Sequence, residues 1–192
     1  MTKTEQKVMR DAEAKTLVKQ AQAGDQSAFA ELVKRYEGQI AATVIGMLGN
    51  TPEADDIGQE TFIRFYKALR NFRGDAEVGT YLTRIAINLS LNELKKRKRK
   101  HIFSLFSSND HDEDRMKAIA DEDKAADRDT KELVHKGIQM LEPNFRSVVV
   151  LRMIDGYSTK ETAEILNVPL GTVLSRLKRA QQKLQKILKE LN

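Results

Sequence analysis

The segment from Tyr157 to Ala180 constrains the fold more than any other part of the chain. It opens with Ser158-Thr-Lys-Glu161, the spacing of a capping box, in which the serine hydroxyl and the glutamate carboxylate cap the first turn of a helix. Asn167-Val168-Pro169 then interrupts the apolar pattern and predicts a short turn. Beyond this turn the apolar residues recur at intervals of four, three and four, which predicts the buried stripe of a second helix: Val173, Leu177, Ala180 and Leu184.

The face of the second helix opposite that stripe is mostly polar and basic. It carries Leu174, Ser175, Lys178 and Arg179, with Arg176 on the flank. In a helix-turn-helix the second helix enters the DNA major groove, where Ser and Arg contact base edges and Lys contacts phosphates. A solvated helix hairpin with an ordinary charged face is the alternative. Because the cap, the turn, the spacing and the charge agree, the segment predicts binding to duplex DNA.

A second basic region, Lys95–Lys100, consists of six consecutive Lys and Arg residues at the end of a predicted helix. Asn88 and Asn92 are four residues apart, so they share a helix face and can hydrogen-bond base edges, while the cations neutralise phosphates. Tyr81 lies on about the same side and can stack on an unpaired base. The spacing equally allows Tyr81 to belong to the core and the basic run to be a solvated helix end favoured by the helix dipole.

The remaining apolar pattern predicts an all-α fold of two small helical domains. Helices are expected to begin after Asp25 and after Thr51-Pro52, with Asp25 and Thr51 as N-caps. The run Asn71–Asp75 breaks the pattern and predicts a loop. Charged residues make up 32% of the chain and aromatic residues 6%, which favours small helical domains over a large β-rich core.

The charges divide the chain into three parts. Residues 1–100 carry 18 Lys and Arg against 13 Asp and Glu, residues 101–132 carry 5 against 10, and residues 133–192 carry 10 against 5. Two basic blocks around an acidic one indicate two polyanion-binding domains joined by a segment that avoids polyanions. The apolar period also fades in the acidic part, which is typical of a flexible linker. We expect domains at 10–102 and 130–192, joined by a flexible acidic linker at 103–129.

Several classes of site and location are disfavoured by composition. The chain has no Cys, which excludes disulfides and thiolate metal sites, and we expect no metal and no other cofactor. The N-terminus lacks the apolar run of a signal peptide. No stretch approaches the roughly 18 consecutive apolar residues that a transmembrane helix needs. We expect a cytoplasmic protein.

Four motifs follow one another along the chain. They are Gly24-Asp25…Ala28-Phe29…Leu32…Tyr36, then Ala54-Asp-Asp-Ile-Gly-Gln-Glu-Thr-Phe-Ile-Arg-Phe-Tyr-Lys-Ala-Leu69, then Phe72-Arg-Gly-Asp75…Thr80-Tyr-Leu-Thr-Arg-Ile-Ala-Ile-Asn88, and finally Gly171-Thr-Val…Ser175-Arg…Arg179-Ala180. With these motifs, nearly the whole chain resembles the extracytoplasmic-function (group 4) sigma factors of bacterial RNA polymerase. Each motif alone is only weakly specific for this family, whereas all four in order, with an acidic segment between, are highly specific.

The resemblance implies a sigma-2 domain, a linker and a sigma-4 domain that together bind core RNA polymerase and promoter DNA. In the family, the acidic helix of sigma-2 docks on the clamp helices of the β′ subunit, and sigma-4 meets the β flap. An anti-sigma factor, often membrane-bound, holds most members inactive. Carried over to this sequence, the polymerase-binding residues are Asp55, Asp56, Gln59 and Glu60.

The resemblance also implies two DNA-binding surfaces. The −10 element would be bound as a single strand by Phe72, Tyr81, Asn88, Asn92, Lys95, Lys96 and Arg97. The −35 element would be bound as duplex by Thr172, Leu174, Ser175, Arg176, Lys178 and Arg179. Two residues depart from the family pattern. Tyr81 stands where Trp is usual and offers less stacking area, and Leu174 stands where many members have Arg or Lys, so one DNA contact is expected to be absent.

Two other classes of function compete with this interpretation. A helix-turn-helix regulator that binds operators as a dimer explains residues 157–180 but leaves the acidic and basic helices upstream without a role. A nuclease with a divalent cation at Asp55, Asp56 and Glu60 is the second alternative. Against it, the three His residues show no pairing with carboxylates on a recognisable face: His101, His111 and His135.

Overall fold

Eight α-helices make up most of the chain in the computed structural model, which describes residues 3–107 and 125–191. No strand occurs in these residues, so the all-α prediction is confirmed for them. The helices are α1 (Lys3–Gln22), α2 (Gln26–Leu48), α3 (Pro52–Ala68), α4 (Val78–Ser107), α5 (Ala125–Met140), α6 (Pro143–Val149), α7 (Thr159–Leu166) and α8 (Leu170–Leu191). A 3₁₀ turn, Leu69–Asn71, follows α3, and a π-helical turn, Val150–Ile154, continues α6.

The N-terminal domain consists of α1–α4, with α2 packed against the other three helices. Its centre is a set of fully buried side chains on α2, α3 and α4, among which Ile40, Val44 and Met47 of α2 recur at helical intervals. Phe65 lies at this centre and is surrounded by aromatic rings, with ring centroids 6.2 Å from Phe29, 5.7 Å from Phe72 and 5.9 Å from Tyr81. The buried residues include Leu32, Ile40, Val44, Met47, Phe65, Leu82 and Ile87.

One of the two predicted N-caps of this domain is confirmed. The Asp25 carboxylate accepts hydrogen bonds from the backbone N–H of Ser27 at 2.8 Å and of Ala28 at 3.2 Å. Its pKa is lowered, chiefly by the hydrogen bond from the Ser27 hydroxyl. Thr51 occupies the N-cap position of α3, but its side chain does not cap the helix and instead accepts from Arg97 at 3.3 Å. A long-range partner therefore replaces the local cap.

The C-terminal domain consists of α5–α8, in which α5 and α6 pack on α8 and α7 with α8 forms the helix-turn-helix. The capping box is present: Glu161 N–H donates to Ser158 Oγ at 3.2 Å, and Ser158 N–H donates to Glu161 Oε2 at 2.8 Å. Asn167 ends α7 with φ of 51°, a left-handed conformation that Asn tolerates better than most residues. The second helix buries Val173, Ala180 and Leu184 as predicted, with Leu177 half-buried.

The structure decides the buried face of α7 and the bounds of the linker. On α7 the most buried apolar residue is Ile165, whereas Ala163 and Leu166 are half-buried. Helices also extend into both ends of the predicted linker, since α4 continues to Ser107 and α5 begins at Ala125. The rest of that linker lies outside the described residues.

Candidate nucleic-acid interface

The candidate −35 residues lie on the first half of α8, on the side away from the core. Leu174, Ser175, Lys178 and Arg179 are exposed, and Thr172 and Arg176 are half-buried beside them. Ser175 Oγ donates to the Thr172 carbonyl at 3.0 Å, which leaves the hydroxyl lone pairs available as acceptors. Leu174 is 51% exposed although it is apolar. The arrangement presents two cations, an acceptor and an aliphatic side chain near the N-terminal end of the helix, the part that enters the groove in this motif.

The candidate −10 residues on α4 differ in how freely they can contact DNA. Asn88 and Asn92 are exposed on one face, while Ala86, Ile87 and Ser90 on the opposite side are buried. Lys95 is exposed, and Lys96 forms an ion pair with Glu93 at 3.5 Å. These four residues form a polar and basic strip along the helix.

Arg97 has a structural role within the N-terminal domain. Its guanidinium contacts Glu53 at 3.1 Å, Glu93 at 3.6 Å and the Thr51 hydroxyl at 3.3 Å. These contacts join the end of α4 to the start of α3. A phosphate that binds Arg97 would therefore share it with two carboxylates, so we expect this cation to contribute less to DNA binding than Lys95.

The two aromatic candidates belong to the cluster around Phe65. Phe72 and Tyr81 are half-buried and meet edge to face, with ring centroids 5.0 Å apart. The Phe72 backbone is held by Gln22, whose side-chain amide donates to the Leu69 and Phe72 carbonyls at 2.8 and 2.9 Å. The core interpretation of Tyr81 thus describes its packing, and only the exposed part of its ring is available to a base. Gln22 was not singled out from the sequence, because no local pattern marks a contact with a loop fifty residues away.

The candidate polymerase-binding residues lie along the outer face of α3. Asp55, Asp56 and Gln59 are exposed, and Glu60 forms an ion pair with Arg64 at 2.8 Å. The same helix exposes two large apolar side chains that the motif does not mark as docking residues: Ile63 and Tyr66 are 46% and 54% exposed. The Tyr66 ring lies at the edge of the aromatic cluster, with its centroid 4.9 Å from that of Phe29. This face therefore combines carboxylates, an amide and apolar area, as protein-docking surfaces do.

Two properties of the described residues bear on the alternatives. Within residues 3–107 and 125–191, no group of three or more His, Asp or Glu side chains is placed to hold a metal ion. The three acidic residues of the nuclease alternative, Asp55, Asp56 and Glu60, follow the outer face of one helix. In the same part of the chain, none of the helices combines the length and the apolar character that crossing a bilayer requires.

Comparison with known proteins identifies the two domains. Residues 32–100 match the family "Sigma-70 region 2", and residues 131–184 match "Sigma-70, region 4". The chain is 37% identical over 180 residues to the RNA polymerase sigma-H factor of Pseudomonas aeruginosa, covering 91% of this chain and 93% of that protein. It is 34% identical over 187 residues to the ECF RNA polymerase sigma factor SigW of Bacillus subtilis, covering 92% and 97%.

Solved structures agree in fold. CnrH, in its complex with the cytosolic domain of CnrY, superposes with a TM-score of 0.65 at 26% identity, covering 93% of this chain and 98% of that one. The sigma factor RpoE of Bartonella quintana, in its complex with the anti-sigma factor NepR, superposes with a TM-score of 0.64 at 22% identity over 84% of this chain and 96% of that one. The two matched regions define a sigma-70-type transcription factor. The chain belongs to the extracytoplasmic-function sigma factors, a family of transcription regulators rather than of enzymes.

Proposed function

We propose that the protein binds core RNA polymerase through α3 and the C-terminal domain, and that α8 and α4 then recognise the −35 and −10 promoter elements. The observation that carries the proposal is the outward face of α8, where exposed Ser175, Lys178 and Arg179 lie next to a capped and tightly turned helix-turn-helix. Transcription from mapped start sites with purified core polymerase is the central test. Start sites that appear only when the protein is added support it, and their absence rejects it.

The −35 role is assigned to α8. Arg179→Ala removes an exposed guanidinium near the N-terminal half of the helix, and we expect promoter binding by the holoenzyme to weaken by about 1–3 kcal/mol if the lost contact is to a base. Lys189→Ala is the matched control, since it removes an exposed cation from the last turn of the same helix. Equal losses in the two variants would indicate general electrostatic attraction instead of a −35 contact.

The −10 role is assigned to Asn88, Asn92 and the Phe72–Tyr81 pair. A base that leaves the stack must regain a few kcal/mol from its pocket. Asn88→Ala should therefore impair open-complex formation more than binding to duplex promoter, as followed by the fluorescence of a reporter base in the melted region. Asn144→Ala, an exposed asparagine on α6, is the control.

The docking role is assigned to Asp55, Asp56, Gln59 and Glu60, extended by the exposed Ile63 and Tyr66 on the same face. We expect a double change of Asp55 and Asp56 to Ala to weaken binding to the β′ clamp helices by roughly tenfold or more, because complementary charge sets both orientation and encounter rate. Glu37→Ala removes an exposed carboxylate from α2 and should leave binding unchanged.

The dimeric-regulator alternative makes the opposite prediction in a gel shift. A dimeric repressor would retard duplex promoter DNA by itself, whereas the proposed function requires core polymerase. We further propose that the protein acts in the cytoplasm without catalytic activity of its own, in a stress or envelope response, and that an anti-sigma factor, which can be membrane-bound, holds it inactive. CnrH and the Bartonella RpoE, solved with CnrY and NepR, motivate that last part.

A further inference from the structure

Two leucines one helical turn apart are exposed at the start of α8. Leu170 is 48% exposed and Leu174 is 51% exposed. The first turn of the helix is held in place, because the Pro169 carbonyl accepts hydrogen bonds from the backbone N–H groups of Thr172 at 2.9 Å and Val173 at 3.3 Å. Since residues four apart share a helix face, the two leucines form one apolar ridge, here called the leucine ridge.

The leucine ridge does not belong to the stripe that packs α8 against the rest of its domain. That stripe is buried or half-buried and repeats at helical intervals: Val173, Leu177, Ala180 and Leu184. Leu174 is turned by roughly 100° from Val173 about the helix axis. A position so far from the buried stripe of a one-sided helix is ordinarily polar. The packing of the described residues therefore does not account for a leucine at position 174.

The surface around the leucine ridge is cationic. Between Leu170 and Lys189, α8 carries Lys and Arg residues but no Asp or Glu. The cations are Arg176, Lys178, Arg179, Lys183, Lys186 and Lys189. Lys178 is exposed one turn beyond Leu174, whereas Glu164 of α7 lines a shallow recess together with Leu170. Leu174 is therefore the better placed of the two leucines for a partner that combines negative charge with an apolar group.

The major groove of duplex DNA offers such a combination. Its walls are phosphates, and the apolar group on its floor is the 5-methyl group of thymine. A leucine has no hydrogen-bond donor or acceptor. Opposite cytosine it would cover the N4 amino group and leave that donor unpaired, which costs free energy. Opposite thymine it would cover a methyl group, which is favourable. Leucine at this place would thus favour thymine over cytosine.

We infer that Leu174, supported by Leu170, recognises the 5-methyl group of a thymine in the −35 element. The inference rests on the proposed function for the position of α8 in the major groove, and it extends that function by assigning a base to a residue. An Arg or Lys at position 174 would offer hydrogen bonds to guanine or phosphate. The departure from the family pattern therefore changes the preferred base and does not merely remove a contact.

Replacement of thymine by uracil in synthetic promoters tests the inference on the unaltered protein. Uracil pairs with adenine as thymine does and lacks only the 5-methyl group. Promoters come from the start sites that the holoenzyme itself uses, and each thymine of the −35 element is replaced in turn. We expect replacement at one thymine, or at two within the ~6 Å that separates the leucines, to weaken holoenzyme binding roughly fourfold. A −35 element without thymine, or equal binding of thymine and uracil at every position, overturns the inference.

Leu174→Ala tests which residue contacts the methyl group. Alanine maintains the helix and shortens the side chain. We expect this variant to bind the thymine promoter roughly fourfold more weakly than the parent, and to bind the thymine and uracil promoters equally. Leu191→Ala is the matched control, because it removes an exposed leucine from the last turn of the same helix and should keep the preference for thymine. A preference for thymine that persists in Leu174→Ala overturns the role of Leu174.

Leu174→Arg introduces the kind of residue that is usual in the family. We expect it to lose the preference for thymine over uracil and to make promoter binding more dependent on salt, by about one further released counterion if the guanidinium contacts a phosphate. A leucine that only supported the fold would not exchange one property for the other. Retention of the thymine preference in Leu174→Arg contradicts the inference.

Two further measurements separate the inference from the proposed function. If Leu174→Ala weakens binding to core polymerase in the absence of DNA and leaves promoter binding by the holoenzyme unchanged, the leucine ridge contacts protein and the inference is overturned. If Arg179→Ala weakens promoter binding but no thymine is sensitive to replacement, the −35 role stands and the thymine contact fails. If neither Arg179→Ala nor any thymine replacement affects promoter binding, the proposed −35 role fails together with the inference.

Discussion

The Asp155 carboxyl makes the packing of the C-terminal domain against α2, here called the closed arrangement, dependent on pH. Burial against α2 raises the pKa of Asp155 from 3.8 to about 6, and the hydrogen bond from Thr43 offsets only part of the rise. When the domains separate, this carboxyl meets water and its pKa falls towards the ordinary value of about 3.9. At pH values between these two pKa values, the closed state therefore binds more protons than the open state.

The sign and the size of the effect follow from proton linkage. A pKa raised in the closed state stabilises closure at low pH, and that stabilisation is lost as pH rises through about 6. Lowering the pH from about 7.5 to 5 should raise the ratio of closed to open molecules by at most about tenfold, or ~1.4 kcal/mol. Above pH of about 7 the ratio should be flat, because the carboxyl is then ionised in both states.

The assay is energy transfer over this pH range between a fluorescent donor and acceptor on Gln20→Cys and Gln185→Cys, two exposed positions in a chain that has no other Cys. Asp155→Asn is the control, since it keeps the shape, cannot ionise, and should hold the closed state without pH dependence. Other charged or titratable groups line the same cleft and are present in both proteins, so the difference between the two pH profiles reports on Asp155: Glu13, Glu31, Lys34, Arg35, Glu77, Tyr157 and Glu161. The same pH profile in Asp155→Asn, or closure that strengthens as pH rises, would refute the reasoning.

Three further predictions concern stability, each measured by urea unfolding of the full chain. Arg146→Ala should cost about 3–5 kcal/mol, because it leaves buried carbonyls unpaired, and Arg146→Lys should recover only part; a loss under ~1 kcal/mol would contradict this role. Ser158→Ala should cost about 1 kcal/mol by removing half of the capping box, and unchanged stability would contradict its capping role. Phe65→Ala should cost about 3–5 kcal/mol, and full retention of stability would show that the aromatic cluster is not the centre of the core.

The features that the sequence predicts best are those settled within one helical turn. Asp25 and Ser158 cap helices through groups two or three residues away, so their partners can be identified along the chain. The buried stripe of α8 follows from helical period alone, and so does the exposure of its opposite face. The exposure of Leu174, Ser175, Lys178 and Arg179 was thus predictable, and so was the flanking position of Arg176, whereas their contact with DNA stays a prediction.

Predictions were weaker where a distant group competes with a local one. Thr51 has the right residue type and position for a cap, but Arg97, 46 residues away, takes its hydroxyl. Tyr66 has the spacing of a core residue, but it lies at the edge of the aromatic cluster, where its ring packs on Phe29 and 54% of the residue stays exposed. The helical period indicates the direction in which a side chain points, but not how much of it the neighbouring helix covers. Half-buried positions therefore cannot be distinguished from fully buried ones by spacing alone.

The positions of the helices, the caps of α2 and α7, the two basic surfaces and the family could all be predicted from the residues in order along the chain. How the domains meet could not, because it depends on partners far apart in sequence: Tyr157 pairs with Gln39 across 118 residues, and Arg146 with Met47 across 99. Local rules act over about four residues, because helical hydrogen bonds and side-chain contacts repeat at that range. A hydrogen bond between domains depends instead on two separately folded surfaces that match in shape and polarity, and neither surface exists until its own helices have packed.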